Sequence, residues 1–155
     1  MSVQVNDKAP AFTLFSDAKS EVSLADYEGR NLLVLFFPLA FTGVCTEELC
    51  SMRDALADYN NMETDVVGIS VDSVFTLEKF KQAEGLNFPL LSDFNKDVSR
   101  QYGALYEDFV LGMRGVSKRS AFIIDKEGTI RYAEVLDNAG DLPNFVAIKE
   151  TLAAM

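Results

Sequence analysis

The only two cysteines of this 155-residue chain, Cys45 and Cys50, lie five positions apart in the segment PLAFTGVCTEELC. Cysteine attacks electrophiles as its thiolate, and it can be oxidised stepwise through a sulfenic acid. The spacing differs from the Cys-x-x-Cys pattern of dithiol redox motifs. Two thiols placed so close together indicate redox chemistry at this segment.

The composition limits the kinds of protein that this chain can be. Apolar residues make up 48% and charged residues 25%, which is typical of a globular chain, and residues 1–155 fit a single domain. A formal net charge of -10 argues against a nucleic-acid partner. No apolar run approaches the roughly 18 residues of a membrane span. The absence of histidine, with only two cysteines, argues against a zinc site.

The first residues of the chain bear on its compartment. The opening MSVQVNDKAP lacks the basic and apolar regions of a signal peptide, so we expect a cytoplasmic protein. In a reducing cytoplasm, a pair of cysteines is more often reactive than structural.

Alternating strand and helix patterns predict the fold that must hold these cysteines. Apolar and β-branched runs predict strands at 31–38, 64–72, 120–125 and 129–136, the first of them central and covered on both faces. Lys126, Glu127 and Gly128 separate the last two strands as a hairpin turn. Helices are predicted from Cys45 onward and at 75–83, 97–102 and 142–154. This order predicts an α/β domain of thioredoxin-like type, a central mixed β-sheet flanked by helices.

The junction between the first strand and the first helix positions Cys45. Pro38 has no N–H for a strand ladder and ends the run NLLVLFF. Thr42 is predicted to be the N-cap of the helix, which places Cys45 at the third helical position. There the sulfur faces unpaired backbone N–H groups and the positive end of the helix dipole, and both favour a thiolate.

These residues resemble a known signature. Pro38, Thr42 and Cys45 fit the Pro-x-x-x-Thr-x-x-Cys pattern of peroxiredoxins, and the segments VNDKAPAFTL, LLVLFFP and GVSKRSAFIID resemble the corresponding family segments. FFPLAFTGVC is most similar to the alkyl hydroperoxide reductase E group, whereas the Cys-x-x-x-x-Cys spacing marks the bacterioferritin-comigratory-protein (Q-type) class. The resemblance implies a thiol peroxidase that reduces hydrogen peroxide and organic hydroperoxides without a cofactor. It places the active-site arginine at Arg119, and Glu48 matches a Glu of many members with a supporting role at the substrate.

Activating the sulfur alone does not make an efficient peroxidase. Lowering a thiol pKa from about 8.5 to roughly 6 raises the thiolate fraction at pH 7 about 30-fold, but the accompanying loss of nucleophilicity takes back roughly 13-fold. The resemblance therefore implies donors that stabilise the breaking O–O bond. They are Arg119, the Thr42 hydroxyl and the N–H groups near Val44 and Cys45, while Pro38 shields the sulfur from water.

The resemblance also implies how the oxidised sulfur is recycled. Cys50 would condense with the sulfenic acid of Cys45, and a thioredoxin-like or glutaredoxin-like protein or a small thiol would reduce the disulfide. In an intact helix, residues five apart have Cα atoms about 8.7 Å apart, whereas disulfides need less than about 7 Å. We therefore expect the start of the helix to unwind when the disulfide forms. The family also implies a monomer or a homodimer.

Several alternatives stay open at this point. Cys45 shares a helical face with Leu49 and Met52 and could be a core residue, Thr42 could be only a cap, and Arg119 could be a solvated charge. Cys50 could be a bystander, with an external thiol resolving Cys45 in a one-Cys mechanism. Three rival interpretations are a thiol redox sensor, a disulfide oxidoreductase and a protein with a structural disulfide. The absence of a Cys-x-x-Cys motif argues against the disulfide oxidoreductase.

Overall fold

A computed structural model describes residues 3–155 and shows nine strands and four α-helices. The strands are β1 (Thr13–Ser16), β2 (Glu21–Ser23), β3 (Asn31–Phe36), β4 (Thr64–Ser70), β5 (Leu90–Ser92), β6 (Leu105–Tyr106), β7 (Val116–Ser117), β8 (Ser120–Ile124) and β9 (Ile130–Val135). The helices are α1 (Gly43–Asn60), α2 (Val74–Glu84), α3 (Asp97–Gln101) and α4 (Phe145–Ala153).

Seven of the strands form one mixed sheet in the order β2-β1-β5-β4-β3-β8-β9, and β6 and β7 form a separate antiparallel pair. β3 pairs in parallel with β4 and antiparallel with β8, so it lies at the centre. β8 and β9 form the hairpin that the Lys126–Gly128 turn predicts. The mixed thioredoxin-like α/β fold is confirmed. None of the helices within residues 3–155 is long and apolar enough to cross a membrane.

The apolar run of β3 has no polar face because both of its faces are covered. Leu33 and Leu35 pack with side chains of α1, α2 and α4. Their neighbours Leu32, Val34 and Phe36 point to the opposite face and pack with side chains of α3 and of the chain before β3. Alternation along a strand divides one continuous run between two cores.

The predicted elements exist, and their ends are set by local hydrogen bonds. β3 stops at Phe36, although the Phe37 N–H still donates to the Ile69 carbonyl (3.0 Å) before Pro38 turns the chain. α4 begins at Phe145 instead of residue 142, because the Asn144 side chain accepts from the Ala147 N–H (3.0 Å) and caps the helix there.

The register of β3 and β8 brings two distant segments to the same edge of the sheet. Phe36, the last residue of β3, pairs with Ser120, the first residue of β8. Arg119 therefore stands directly beside the point where the chain leaves β3 to begin α1.

Candidate active site

The turn between β3 and α1 is held by specific hydrogen bonds. Asp72 lies just after β4. Its Oδ2 accepts from the Ala40 N–H (2.8 Å) and from the hydroxyl of Ser70, the last residue of β4 (2.7 Å). Phe41 takes a left-handed backbone conformation (φ 66°), and its ring contacts Phe80 of α2. The side chain of Asp72 thus fixes the path of the chain into α1.

Thr42 is the N-cap of α1 as predicted, with an extended backbone (φ −89°, ψ 154°). Its hydroxyl makes no capping bond and instead donates to the Leu39 carbonyl (2.8 Å). The Thr46 N–H donates to the Thr42 carbonyl (2.9 Å), so the N–H groups of residues 43–45 precede the intrahelical ladder. Cys45 is the third residue of the helix, and 0% of it is exposed.

Arg119 reaches the sulfur from the segment between β7 and β8. Its Nη2 donates to Cys45 Sγ (3.3 Å), and its Nη1 donates to Glu48 Oε1 (2.7 Å). Its Nε and Nη2 also donate to the Ala139 carbonyl, at 3.1 and 2.9 Å. With 2% of its surface exposed, Arg119 is not the solvated charge of the alternative interpretation.

Glu48 follows Cys45 by one helical turn and is completely buried. Burial raises the pKa of Glu48 to about 7, although the charge and hydrogen bond of Arg119 act to lower it. Burial lowers the pKa of Arg119, but the charges of Glu48 and Cys45 outweigh that effect and leave the pKa raised. Oε2 of Glu48 is buried and has no hydrogen-bond partner among residues 3–155.

Cys50 lies in the same unbroken helix as Cys45 and faces α2. It is half-buried at the edge of the core, and its sulfur lies 4.0 Å from Glu84 Oε2. Burial raises the pKa of the Cys50 thiol, as do Glu84 and Asp54, while Arg53 acts to lower it. Both cysteines are free thiols in this structure.

The structure thus places Arg119 in contact with both Cys45 and Glu48, with Thr42 at the cap of the same helix. Pro38 is buried after β3, and Val44 is half-buried in the first turn. Sequence reasoning missed two groups that position these residues. Asp72 lies inside the predicted strand 64–72, and no sequence signal distinguished it. The Ala139 contact is made by a backbone carbonyl, which carries no side-chain signal at all.

Sequence comparison identifies a family and named relatives that are similar to this chain. The sequence profile of the AhpC/TSA family matches residues 5–133. A Mycobacterium tuberculosis protein with a provisional peroxiredoxin name is 45% identical over 130 residues, which cover 83% of this chain and 82% of that protein. Alkyl hydroperoxide reductase E of Mycobacterium bovis is 39% identical over 136 residues, which cover 86% of each chain.

Solved structures resemble this one over nearly its whole length. Peroxidoxin BcpB of Mycobacterium tuberculosis superposes with a TM-score of 0.87 at 27% identity, covering 98% of this chain and 97% of that one. The reduced 2-Cys peroxiredoxin of Plasmodium vivax has a TM-score of 0.84 at 29% identity, covering 98% and 81%. A peroxiredoxin-like protein of Aquifex aeolicus shares the fold, with a TM-score of 0.89 at 23% identity and coverage of 99% and 88%.

Proposed function

Because this chain belongs to the AhpC/TSA family of peroxiredoxins and is a thiol-dependent peroxidase, we propose that Cys45 is the sulfur that attacks the peroxide. The observation that carries this assignment is the hydrogen bond from Arg119 Nη2 to Cys45 Sγ (3.3 Å) in the first turn of α1. A guanidinium donating to a buried sulfur favours the thiolate, which is the nucleophilic form.

The surrounding groups support distinct parts in the reaction. Arg119 and the free N–H groups of Val44 and Cys45 can donate to the peroxide oxygens and stabilise the negative charge that builds as the O–O bond breaks. The hydroxyl proton of Thr42 is used on the Leu39 carbonyl, so its oxygen can accept a hydrogen bond from the peroxide O–H. Pro38, buried beside the turn, would keep water from the oxidised sulfur.

Cys50 is proposed as the resolving cysteine. Five residues apart in an intact helix, the two Cα atoms are about 8.7 Å apart, beyond the reach of a disulfide. The first turns of α1 must therefore unwind before Cys50 can condense with the sulfenic acid of Cys45. Unwinding would also separate Cys50 from Glu84.

The intact helix is also the observation that favours a second candidate. While α1 stays folded, Cys50 is held against α2, and an external thiol could reach the sulfenic acid first. The protein would then be a one-Cys peroxidase, or a thiol redox sensor if its turnover is slow.

The remaining assignments extend the family function to substrates and partners. Hydrogen peroxide and organic hydroperoxides would be the substrates, and a thioredoxin-like or glutaredoxin-like protein would reduce the disulfide. The protein would act in the cytoplasm as a monomer or a homodimer.

Two cysteine variants test this assignment. Cys45→Ser should abolish peroxide consumption because it removes the attacking sulfur. Cys50→Ser should keep the first oxidation of Cys45 at the wild-type rate but impair recycling. Stopped-flow oxidation by hydrogen peroxide, with the product mapped by mass, measures both steps.

The outcomes separate the candidates. Undiminished peroxide consumption by Cys45→Ser would overturn the proposed role of Cys45. Unimpaired turnover of Cys50→Ser with a thioredoxin-type reductant would favour the one-Cys mechanism.

A further inference from the structure

Two acidic side chains of the active site share one positively charged partner, Arg119. Cys45 and Glu48 both accept hydrogen bonds from Arg119, from neighbouring nitrogens of a single guanidinium. The charge of Arg119 also acts on Tyr106, whose hydroxyl donates to the Asp137 carbonyl (2.8 Å). Beyond it, Lys118 pairs with an Asp137 side chain that is almost fully exposed. Arg119 is thus the only charged group that an ion pair joins to Glu48 within residues 3–155.

Charge balance fixes how many protons this cluster holds. With both acids ionised, the buried cluster would carry one excess negative charge, and with both neutral it would carry one excess positive charge. An uncompensated buried charge is strongly unfavourable. The state in which Arg119 faces a single anion has one proton shared between Cys45 and Glu48. When the sulfur is the thiolate that attacks, this balance places the proton on Glu48.

The hydrogen bonds of Glu48 favour one of its two oxygens as the site of this proton. Oε1 accepts from Arg119 Nη1, whereas Oε2 is buried and has no partner among the described residues. An ionised oxygen without a donor is costly to bury. The O–H of a neutral carboxyl can instead donate to an acceptor that enters the site. The raised pKa of Glu48, about 7, agrees with a carboxyl that is protonated in part at neutral pH.

We propose that Glu48 is the acid that protonates the leaving oxygen of the peroxide. The Cys45 thiolate attacks the terminal oxygen of the hydroperoxide, an S–O bond forms, and the O–O bond breaks with its electron pair on the departing alkoxide or hydroxide. That oxygen takes the proton from Glu48 Oε2 and leaves as alcohol or water. The sulfur is oxidised by two electrons to a neutral sulfenic acid, and the new Glu48 carboxylate keeps Arg119 as its counterion.

The site stays electrically balanced through this step, because Arg119 faces one anion before it and one anion after it. The proton returns later, when reduction of the oxidised sulfur regenerates the Cys45 thiol. This role rests on the proposed function of Cys45, since the proton moves only if that sulfur is the one oxidised.

The test compares Glu48→Gln with Glu47→Gln, the same substitution at its exposed neighbour in the same helix. Gln at 48 can still accept from Arg119 but has no proton to give. We expect Glu48→Gln to form the Cys45 thiolate at lower pH, because the competing anion is gone, and yet to be oxidised about 10²-fold more slowly near neutral pH. Ultraviolet absorbance of the reduced proteins gives the first quantity, and stopped-flow oxidation gives the second.

These two opposite shifts distinguish a proton donor from a residue that only orients Arg119. If Glu48→Gln is oxidised as fast as Glu47→Gln, the proposal is wrong while the role of Cys45 stands. If wild-type Cys45 is not oxidised by stoichiometric peroxide, the proposed function itself fails.

A second measurement uses only the wild-type protein, so its result does not depend on whether a variant folds. Infrared difference spectra of the wild-type protein, reduced minus peroxide-oxidised, should show the loss of one protonated carboxyl band as Cys45 becomes sulfenic acid. An unchanged carboxyl region during complete oxidation of Cys45 would overturn the role of Glu48.

Discussion

Arg119 uses three nitrogens at once, toward Cys45, Glu48 and the Ala139 carbonyl. Only the planar fork of a guanidinium presents donors in several fixed directions from one buried position, whereas an ammonium is a single point of charge. The same side chain therefore orients the sulfur of Cys45, pairs with the carboxyl group of Glu48 and binds the loop after β9, which contains Ala139. At the scale of the residue, geometry matters here as much as charge.

Replacing Arg119 by Lys tests this distinction because the positive charge is retained. We expect the oxidation rate of Cys45 to fall by about 10²-fold to 10³-fold, because the fixed donors for the transition state are lost. The free energy of unfolding should fall by about 1–3 kcal/mol, because a buried acceptor is left without its donor. Stopped-flow oxidation and urea denaturation measure these changes.

Arg114→Lys is the matched control, since the Arg114 side chain is 84% exposed and pairs with exposed Asp108. It should change neither quantity. Equal oxidation rates for Arg119→Lys and Arg114→Lys would show that charge alone suffices.

At the scale of the element, the turn from β3 into α1 decides where the sulfur stands. Asp72, which follows β4, accepts from the Ala40 N–H and the Ser70 hydroxyl. Because β3 and β4 are parallel neighbours, their carboxyl ends meet at one edge of the sheet. A side chain after β4 can therefore hold the backbone that leaves β3.

Asp72→Ala should release this turn. We expect it to lower the free energy of unfolding by about 1–3 kcal/mol, because the Ala40 N–H loses its acceptor, and to slow the oxidation of Cys45. Asp72→Asn retains one side-chain acceptor and should restore part of both quantities. Asp54→Ala in α1, whose side chain is 71% exposed, serves as the control. An oxidation rate unchanged in Asp72→Ala would mean that α1 holds Cys45 without this contact.

The elements differ in how far the sequence predicts them. β3 and the position of Cys45 in α1 follow from local patterns, namely a continuous apolar run, a proline and a capping residue. The meeting of Arg119 with Cys45 depends on the antiparallel pairing of Phe36 with Ser120, and no local pattern specifies a partner so distant in the chain. Only the resemblance to a family indicated Arg119 beforehand. Short strands such as β5 also went unpredicted, because three residues give too little periodicity.

At the scale of the whole molecule, most of the ion pairs among residues 3–155 lie at the surface, whereas that of Arg119 and Glu48 is buried. A carboxyl whose pKa is raised on folding binds its proton more tightly in the folded state than in the unfolded state. Stability from such a group is fully present below its unfolded pKa and is lost as the pH rises through its folded pKa. For Glu48 this window runs from 4.5 to about 7.

The wild-type protein should therefore lose stability relative to Glu48→Gln as the pH rises through this window. The span of the window corresponds to roughly 3 kcal/mol at about 1.4 kcal/mol for each pH unit. Urea denaturation of both proteins at a series of pH values measures the difference. A difference that stays constant with pH would mean that Glu48 ionises alike in the folded and unfolded chains.

The pairing of the end of β3 with the start of β8 also has a consequence for folding. The guanidinium that donates to Cys45 Sγ belongs to a residue 74 positions downstream of it. A chain in which β8 has not yet paired with β3 lacks this donor, so we expect the oxidation proposed for Cys45 to become fast only after the two halves have docked.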